Sequence, residues 1–481
     1  MAPAKSALFR LDEQPEVFFS HAETSRAVNY EVNRGRARPI ARGLYTRNLS
    51  DPIEEVLRRN WVPVTAEYFP GAVLVDRTAF EFQPAEDGSV MVSSSKRRDV
   101  QLPGLRLRAR EGPMRLAGDE RWMGEDIFMS SRARAFLDNM RPSRARQGVP
   151  RTLSHAELEE KLDAYAGSDV EQLNSLRDDA RRLAPDLGAE SEFQQLDNLI
   201  GALLGTRDAP LASESGKARA AGVPYDKQRL VRFEQLQTHL LSEPPQRLAA
   251  NLSHERSTLA FFEAYFSNFI EGTEFTLDEA EKIVFDGVIP SERPRDAHDI
   301  LGTYRLVSAD EERSRTPTSA DELIDIIKSQ HAVLMEARPD MRPGEFKEKP
   351  NRAGSTLFVL PEHVEGTLRQ GFAYYDTLPK GLARAIFAMF SLAEIHPFVD
   401  GNGRIARVLV NSELSAVSEQ RIIVPTASRD DYLYGLRGMT QNANARSLVR
   451  VMESLQDSAR ATNYSSRETA ELDLRRRGAF G

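Results

Sequence analysis

The stretch at residues 395–407 reads IHPFVDGNGRIAR, and it decides how the rest of the chain is interpreted. The run before it, residues 381–394 (GLARAIFAMFSLAE), lacks proline and places apolar residues at helical spacing, which predicts a buried helix. A proline follows His396 and disfavours the helical conformation there, so this helix is expected to end at that point. Apolar periodicity resumes over residues 405–414, which predicts a second helix beginning near Gly403.

The loop between the two predicted helices combines residue types that suit a polyphosphate. Gly401, Asn402 and Gly403 tolerate left-handed backbone, so successive amides can turn inward and form an anion nest where the second helix begins. Arg404 and Arg407 are three residues apart and share a face of that helix. Two guanidinium groups beside such a nest match the charge of several phosphates.

Two further side chains of this loop are suited to phosphoryl chemistry. Asp400 offers an oxygen ligand to a Mg²⁺ ion that bridges phosphates. His396 stands at the start of the loop, where an imidazole can take a proton from a hydroxyl nucleophile. Taken singly, these features are a helix-capping histidine, a turn and a solvated arginine pair. Because they fall together within residues 396–407, they favour a catalytic loop.

The same residues carry a family resemblance. The sequence HPFVDGNGRIAR at 396–407 resembles the signature of the Fic (filamentation induced by cAMP) family, HPFx(D/E)GNGRxxR, at every position. The resemblance implies a helical-bundle core and transfer of AMP from ATP to a Ser, Thr or Tyr hydroxyl of a target protein. The branch of the family that acts as a kinase has alanine for the first glycine and lacks the second arginine. Gly401 and Arg407 therefore favour nucleotidyl transfer.

The resemblance also implies roles for the residues of the loop. His396 would be the base that deprotonates the target hydroxyl. Asp400 would hold Mg²⁺ on the α- and β-phosphates. The amides of Gly401 and Gly403, together with Asn402, would cradle the phosphates.

The remaining implied roles concern the rest of the nucleotide. Arg404 would contact the phosphates and Arg407 would pair with the γ-phosphate. Tyr432 and Asn442 fall where members of the family often line the adenine pocket. ATP and Mg²⁺ are therefore expected, although UTP, GTP or another diphosphate-bearing donor would satisfy the same phosphate contacts.

A regulatory helix is predicted near residues 257–272, where aromatic residues recur at helical spacing. Ser267 and Glu271 are four apart on one face, with Gly272 as a C-terminal cap. On its own this is an ordinary polar stripe. Upstream of the signature, however, it resembles the inhibitory motif (S/T)xxxE(G/N) of the Fic family. The resemblance implies that Glu271 pairs with Arg407, so that ATP binds in an unproductive pose.

Two segments around the signature carry softer signals. Residues 338–361 are rich in proline and glycine and continue into a strand-like run at 355–360, which predicts a hairpin. Its position matches the flap that, in the Fic family, covers the active loop and holds the target segment as an added strand. Residues 457–481 are charged and lack apolar periodicity, so a frayed tail is expected.

The first part of the chain has a different charge. Residues 1–150 carry a net charge of about +4 in a chain of net charge −8, which leaves about −12 for the remainder. The segments GRARPIARGLY and FPGAVLVDRTAFE resemble the winged-helix region of the antitoxin half of abortive-infection systems. This implies a nucleic-acid-binding or regulatory role through the basic N-terminal domain. An arginine-rich, solvated small domain fits the same residues.

Composition excludes several classes of site. The 481 residues include no cysteine, so disulfides, thiolate metal sites and cysteine nucleophiles are excluded. The N-terminus has no signal-peptide core and no apolar run reaches 18 residues, so we expect a cytoplasmic protein without a membrane span. The predicted fold is mainly α: a Fic helical bundle with a short β-hairpin flap, preceded by a small α+β winged-helix-like domain and a helical connector. The expected boundaries are 1–130 for the small domain, 131–228 for the connector, 229–456 for the Fic domain and 457–481 for the tail.

Three functional hypotheses follow. The first is a protein adenylyltransferase that is autoinhibited by Glu271 and acts on a protein carrying a hydroxyl side chain. The second is a de-AMPylase that uses the same site in reverse. The third is a transcriptional regulator or antitoxin that senses nucleotide and binds DNA. The family often dimerises, so a homodimer is left open.

Overall fold

The computed structural model describes residues 9–145, 148–167, 171–251, 254–354 and 356–480. The chain divides into two compact units, Met1–Ala220 and Ala221–Gly481. This division falls close to the boundary expected at residue 228. Within the described ranges, no helix combines the length and apolar character needed to cross a bilayer.

The first unit contains two β-sheets. Its described strands are β1 (Val17–Phe19), β2 (Arg38–Ala41), β3 (Leu44–Thr46), β4 (Ala72–Leu74), β5 (Ser89–Ser94), β6 (Arg98–Leu102), β7 (Leu105–Glu111), β8 (Glu120–Arg121) and β9 (Ile127–Met129). A small antiparallel sheet has the order β1-β3-β2, and a six-stranded sheet has the order β6-β7-β5-β4-β9-β8. The larger sheet is mixed, because β4 pairs with β9 and β5 pairs with β7 in parallel.

Helices complete this unit. They are α1 (Ser25–Asn33), α2 (Ile53–Arg59), α3 (Trp61–Tyr68), α4 (Thr78–Glu81), α5 (Arg132–Asn139), α6 (His155–Ala166), α7 (Glu171–Leu187), α8 (Glu190–Leu203) and α9 (Glu214–Ala220). The largest hydrophobic cluster of this unit runs from Val17 to Leu203 and joins the sheets to α5–α8. The boundary expected at residue 130 therefore does not separate two cores, because the helices assigned to a connector bury their apolar faces in the core of the preceding domain.

The sequence RGLY at 42–45 predicts a short strand pair, and it is present as β2 and β3, with Gly43 left-handed at a φ of 80°. Period-two alternation at 88–95 and 100–108 predicts strands, and β5, β6 and β7 occupy these runs. Their assembly with β4, β8 and β9 into one six-stranded sheet was not predicted. The winged-helix and antitoxin resemblance remains a prediction for the domain expected at 1–130.

The second unit is helical, as predicted. Its described helices are α10 (Lys227–Ser242), α11 (Arg256–Ile270), α12 (Leu277–Asp286), α13 (Pro294–Ser308), α14 (Ala320–Leu334), α15 (Val364–Asp376), α16 (Leu382–Ile395), α17 (Asn402–Ala416), α18 (Arg429–Asn442), α19 (Ala445–Ala461) and α20 (Arg467–Arg476). Two short strands, β10 (Arg352–Ala353) and β11 (Thr356–Leu357), form the predicted hairpin. Ser355, where the strand-like run was expected to start, lies outside the described residues.

The core of this unit is built around α16 and α17. Nearly every side chain of α16 is buried, and the helix supplies much of the larger hydrophobic cluster. The helix predicted before His396 is confirmed, with a boundary shift of one residue. The second helix begins at Asn402, one residue before the start expected near Gly403.

The C-terminal residues are ordered against α11, and the expectation of a frayed tail is wrong for 457–480. The helix α19 continues to Ala461, and Tyr464 and Leu474 are buried in a cluster with the aromatic face of α11. Phe480 packs on Phe266, with ring centroids 5.3 Å apart. These anchors are sparse in the sequence, so they show no periodicity, and the surface they cover belongs to a distant helix. Residue 481 lies outside the described residues.

Candidate active site

The loop between α16 and α17 faces a cavity of about 580 Å³. Among the residues predicted for the site, His396, Gly403, Arg407, Tyr432 and Glu271 line it. The hairpin β10–β11 contributes to the wall opposite, together with residues of α18. The volume is typical of a small-molecule site.

His396 ends α16 in the left-handed conformation, with a φ of 53°. Its Nδ1 lies 3.3 Å from the carbonyl oxygen of Ala393. A carbonyl only accepts, so Nδ1 carries the hydrogen and Nε2 keeps its lone pair. Phe358 stacks on the imidazole, with centroids 3.8 Å apart and planes 6° apart. Burial lowers the pKa of His396 to about 4, so the imidazole is neutral near pH 7.

The backbone after His396 turns at Gly401, which has a φ of 77°. The side chain of Asn402 closes the loop, because Oδ1 accepts from the amide of Phe398 at 2.9 Å and Nδ2 donates to its carbonyl at 3.0 Å. Asn402 and Gly403 also tolerate left-handed backbone but do not adopt it. Both residues are helical, since they form the first turn of α17. The first amides of α17 have no intrahelical acceptor, which preserves an anion-binding helix end.

Asp400 lies at the entrance to this helix. Its Oδ1 accepts from the amide of Gly401 at 2.7 Å, and its Oδ2 is 3.4 Å from Nη2 of Arg404. The side chain is 47% exposed, so the carboxylate keeps room for a further ligand. Across the described ranges, no group of three or more His, Asp or Glu side chains is arranged to hold a metal. Any divalent ion at Asp400 would therefore take most of its ligands from phosphate and water.

Arg404 is buried in an ion-pair network that the sequence did not reveal. Its Nη1 lies 2.9 Å from Oδ2 of Asp299, and both side chains are almost fully buried. Asp299 also accepts two hydrogen bonds from Nε of Arg338 and one from its Nη2. Arg404 is not among the residues that line the cavity, and its contact with the phosphates stays a prediction. Asp299 lies in α13 and Arg338 follows α14. No local pattern in the sequence links either residue to the signature.

Arg407 is held by both residues of the predicted regulatory motif. Its Nε donates to Oγ of Ser267 at 2.9 Å, and its Nη2 donates to the Ser267 carbonyl at 2.9 Å and to Oε1 of Glu271 at 2.7 Å. Burial opposes the charge of Arg407, yet Glu271 and Tyr432 hold its pKa above the ordinary value. The guanidinium of Arg407 therefore donates hydrogen bonds to Ser267 in α11 and to Glu271, the residue that follows this helix.

The two residues expected near the adenine behave differently. Tyr432 is buried at the cavity wall, and burial raises its pKa, so the phenol is neutral. Asn442 is exposed and lies outside the cavity, which corrects its assignment. Thr440 and Gln441 line the cavity instead.

A further tether was not foreseen from the sequence. Arg229, in the first turn of α10, donates to the carbonyl of Leu357 at 2.5 Å and pairs with Glu394 on α16. It thereby ties the hairpin to the helix that carries His396. Nothing in the sequence near Arg229 distinguishes it from other arginines on helix surfaces.

Comparison with known proteins places the chain. A profile of the Fic/DOC family matches residues 321–414. Protein adenylyltransferase Fic of Nematostella vectensis is 28% identical over 255 residues, covering 50% of this chain and 58% of that protein. Protein adenylyltransferase fic-1 of Caenorhabditis elegans is 28% identical over 186 residues, covering 37% of this chain and 36% of that protein. The chain thus spans less than two thirds of the length of these relatives.

Two further similarities are shorter or weaker. The solved structure of Fic-1 (residues 134–508) from C. elegans aligns with a TM-score of 0.37 and 21% identity, covering 63% of this chain and 89% of that chain. A Fido domain-containing protein of Dictyostelium discoideum is 33% identical over 99 residues, which are 20% of this chain and 69% of that protein. With the complete signature at 396–407, the family profile and this relative matched over more than two thirds of its length, the chain belongs to the Fic/DOC family.

Proposed function

We propose that the chain is a protein adenylyltransferase that moves AMP from ATP to a Ser, Thr or Tyr hydroxyl of a target protein. The observation that carries the proposal is the shared cavity. It holds the neutral imidazole of His396 together with Gly403 and Arg407 from the N-terminal half of α17. The printed names of the adenylyltransferase relatives support the same reaction.

The proposed step needs one proton acceptor and a site for the leaving charge. The target oxygen forms a bond to the α-phosphorus while Nε2 of His396 takes the hydroxyl proton. The bond from the α-phosphorus to the bridging oxygen breaks, and pyrophosphate leaves. Its charge is stabilised by the free amides at the start of α17 and by Arg407. Asp400 would hold Mg²⁺ with phosphate oxygens, and the ion supplies further charge neutralisation.

We also propose that the chain is autoinhibited. Glu271 holds the Arg407 guanidinium that would otherwise meet the γ-phosphate. The arginine is almost fully buried and the carboxylate is 32% exposed, so their attraction is screened less than that of a surface pair. ATP that enters beside this pair is expected to bind in an unproductive pose.

Replacing the proposed base tests the reaction. His396→Ala should abolish AMP transfer, because no other neutral imidazole lines the described cavity wall. ATP should still bind, since the phosphate contacts come from α17. Transfer is measured with ATP labelled on the α-phosphate and binding by calorimetry. Transfer that survives this substitution would contradict the mechanism.

Removing the inhibitory carboxylate tests the regulation. Glu271→Gly should raise auto-modification by about tenfold or more, which corresponds to about 1.4 kcal/mol of released interaction. Glu274→Gly is the matched control, because Glu274 is exposed and lies outside the cavity. A Glu271→Gly protein that is no more active than the parent would reject the inhibitory role.

The donor and target are identified with the same variant. Purified Glu271→Gly protein is incubated with labelled ATP, UTP or GTP and host lysate, and labelled bands are analysed by mass spectrometry. Preference for ATP is expected. Labelling from UTP or GTP alone would still indicate nucleotidyl transfer, but with a donor other than ATP.

The position of Glu271 also favours a reverse reaction as the second candidate. Its carboxylate and His396 line one cavity, so Glu271 could orient a water that removes AMP from a modified protein, with His396 as the acid. The two candidates give opposite results. Glu271→Gly gains activity if the chain adds AMP, and loses activity on a pre-modified target if the chain removes it.

A further inference from the structure

The backbone beside His396 is held by a segment outside the signature. The amide of Lys347 donates to the carbonyl of Pro397 at 2.9 Å. Its Nζ lies 3.3 Å from the carbonyl oxygen of Ile395 and donates to Oδ1 of Asn351 at 2.7 Å. The carbonyls immediately before and after His396 are therefore both bound by one lysine.

Asn351 extends this contact to the next residue of the loop. Its Nδ2 donates to the carbonyl of Phe398 at 3.0 Å, the same carbonyl that accepts from Asn402. The carbonyl of Asn351 accepts from the amide of Phe358 at 3.2 Å. The segment thus also fixes the residue whose ring stacks on His396.

The ammonium of Lys347 occupies an unusual environment. The residue is 3% exposed, and in the described part of the chain no carboxylate forms an ion pair with it. Burying an unpaired charge is costly. Here the charge faces the C-terminus of α16, where carbonyls lack intrahelical donors and the helix dipole is negative. Burial and nearby Arg229 lower the pKa of Lys347 to about 8, so it is mainly charged at pH 7.

We propose that Lys347 and Asn351 are positioning residues for the transfer reaction. They hold the carbonyls around His396, and so fix the left-handed conformation that keeps its free nitrogen at the cavity. This inference rests on the proposed function of His396 as the base. Neither residue lines the cavity, so both act through the loop and not on the nucleotide. The Lys347 charge also disfavours protonation of the imidazole.

The kinetic test uses the Glu271→Gly protein as the parent. Lys347→Met removes the ammonium but keeps an unbranched chain, and Asn351→Leu removes both polar groups with little change in shape. Each should lower kcat about 30-fold or more while the KM for ATP changes less than about threefold. The kcat of the double variant should lie within about threefold of the kcat of the less active single variant, because the two side chains form one network. Lys349→Met, at an exposed lysine two residues away, should match the parent.

A second measurement reports on His396 directly. Imidazole ¹⁵N signals are followed against pH, and those of His396 are assigned by their absence in His396→Ala. Lys347→Met should raise the pKa of His396, because a neighbouring positive charge is lost, while Lys349→Met should leave it unchanged. A role limited to general packing would lower thermal stability without this selective shift.

The outcomes are separable. A Lys347→Met protein with the parent kcat and the parent imidazole titration overturns the proposal, as does a loss confined to the KM for ATP. If Lys347→Met does not fold, Asn351→Leu decides by the same kcat and KM criteria. If the Glu271→Gly parent transfers no nucleotide, the proposed function fails, and the His396 titration alone decides whether Lys347 controls the imidazole.

Discussion

At the scale of single residues, the contact between Glu271 and Arg407 depends on the absence of a side chain at Gly403. Gly403 has ordinary helical backbone, so its φ does not require glycine. Space does: a Cβ atom there would overlap Oε1 of Glu271 and lie 3.1 Å from Nη1 of Arg407. Gly403, which would leave room for phosphates, therefore also leaves room for the Glu271 carboxylate that pairs with Arg407.

The pH dependence of transfer is predicted from His396. Its pKa is lowered to about 4 by burial, so the basic form is present above this value and is lost as pH falls through it. In the Glu271→Gly protein, kcat should not change through protonation of His396 between about pH 6 and 8, and it should fall as the pH approaches 4. Initial rates at saturating ATP measure this profile. An acidic limb centred near pH 6.5, the ordinary histidine value, would contradict it.

The same shift affects stability. Between about pH 4 and 6.5 the unfolded chain binds a proton at this histidine that the folded chain does not. The free energy of unfolding therefore falls as pH drops across that window. His331 has the same direction of shift, to about 4, and adds to the effect.

At the scale of elements, the loop between α16 and α17 packs against α14. His331 stacks on Phe398, with centroids 3.8 Å apart. Its Nδ1 accepts from the amide of Gly344 at 3.0 Å, so Nε2 carries the hydrogen that reaches the carbonyl of Asp400 at 3.1 Å. Gly401 sits against the end of the same helix. The loop thus derives its shape from a packed helix as well as from its own glycines.

Adding a methyl group at Gly401 tests this support. The Cβ of Gly401→Ala would lie 2.5 Å from Cε of Met335, and the left-handed backbone would be strained as well. We expect the free energy of unfolding to fall by about 2–4 kcal/mol. Gly287→Ala is the control: it has a φ of 70° but open space around the Cβ, so it should cost about 1–2 kcal/mol. Equal losses in urea unfolding would show that the contact with Met335 adds nothing.

At the scale of the whole molecule, the chain has two units where the sequence predicted four segments. The largest cluster of the first unit includes Leu158 and Leu203, and the second unit has the clusters around α16 and α11. The third hypothesis, a nucleotide-sensing regulator, concerns the first unit. Within its described residues, Arg42 and Arg47 are exposed and form no ion pair, which suits contacts with phosphates.

The cores predict which fragments fold. Residues 1–220 should show a cooperative thermal transition, whereas residues 1–150 should not, because that cut removes the apolar faces of α6–α8 from the core. Circular dichroism on both fragments measures this. A cooperative transition for 1–150 would contradict this prediction and would support the small domain that the sequence predicted at 1–130. Gel-shift assays with 1–220 at increasing salt then test the regulator hypothesis, since phosphate contacts weaken with salt.

The sequence by itself determined what depends on neighbours in the chain. Proline after His396 ended α16, the spacing of Ser267 and Glu271 put both on one face, and the Thr276–Glu279 capping box started α12. Only the tertiary structure decided that Asp299 would hold Arg404, that Lys347 would bind the backbone beside His396, and that the C-terminal residues would cover α11. Local rules act over about four residues. These contacts join residues far apart in the chain, whose proximity exists only once the helices have packed.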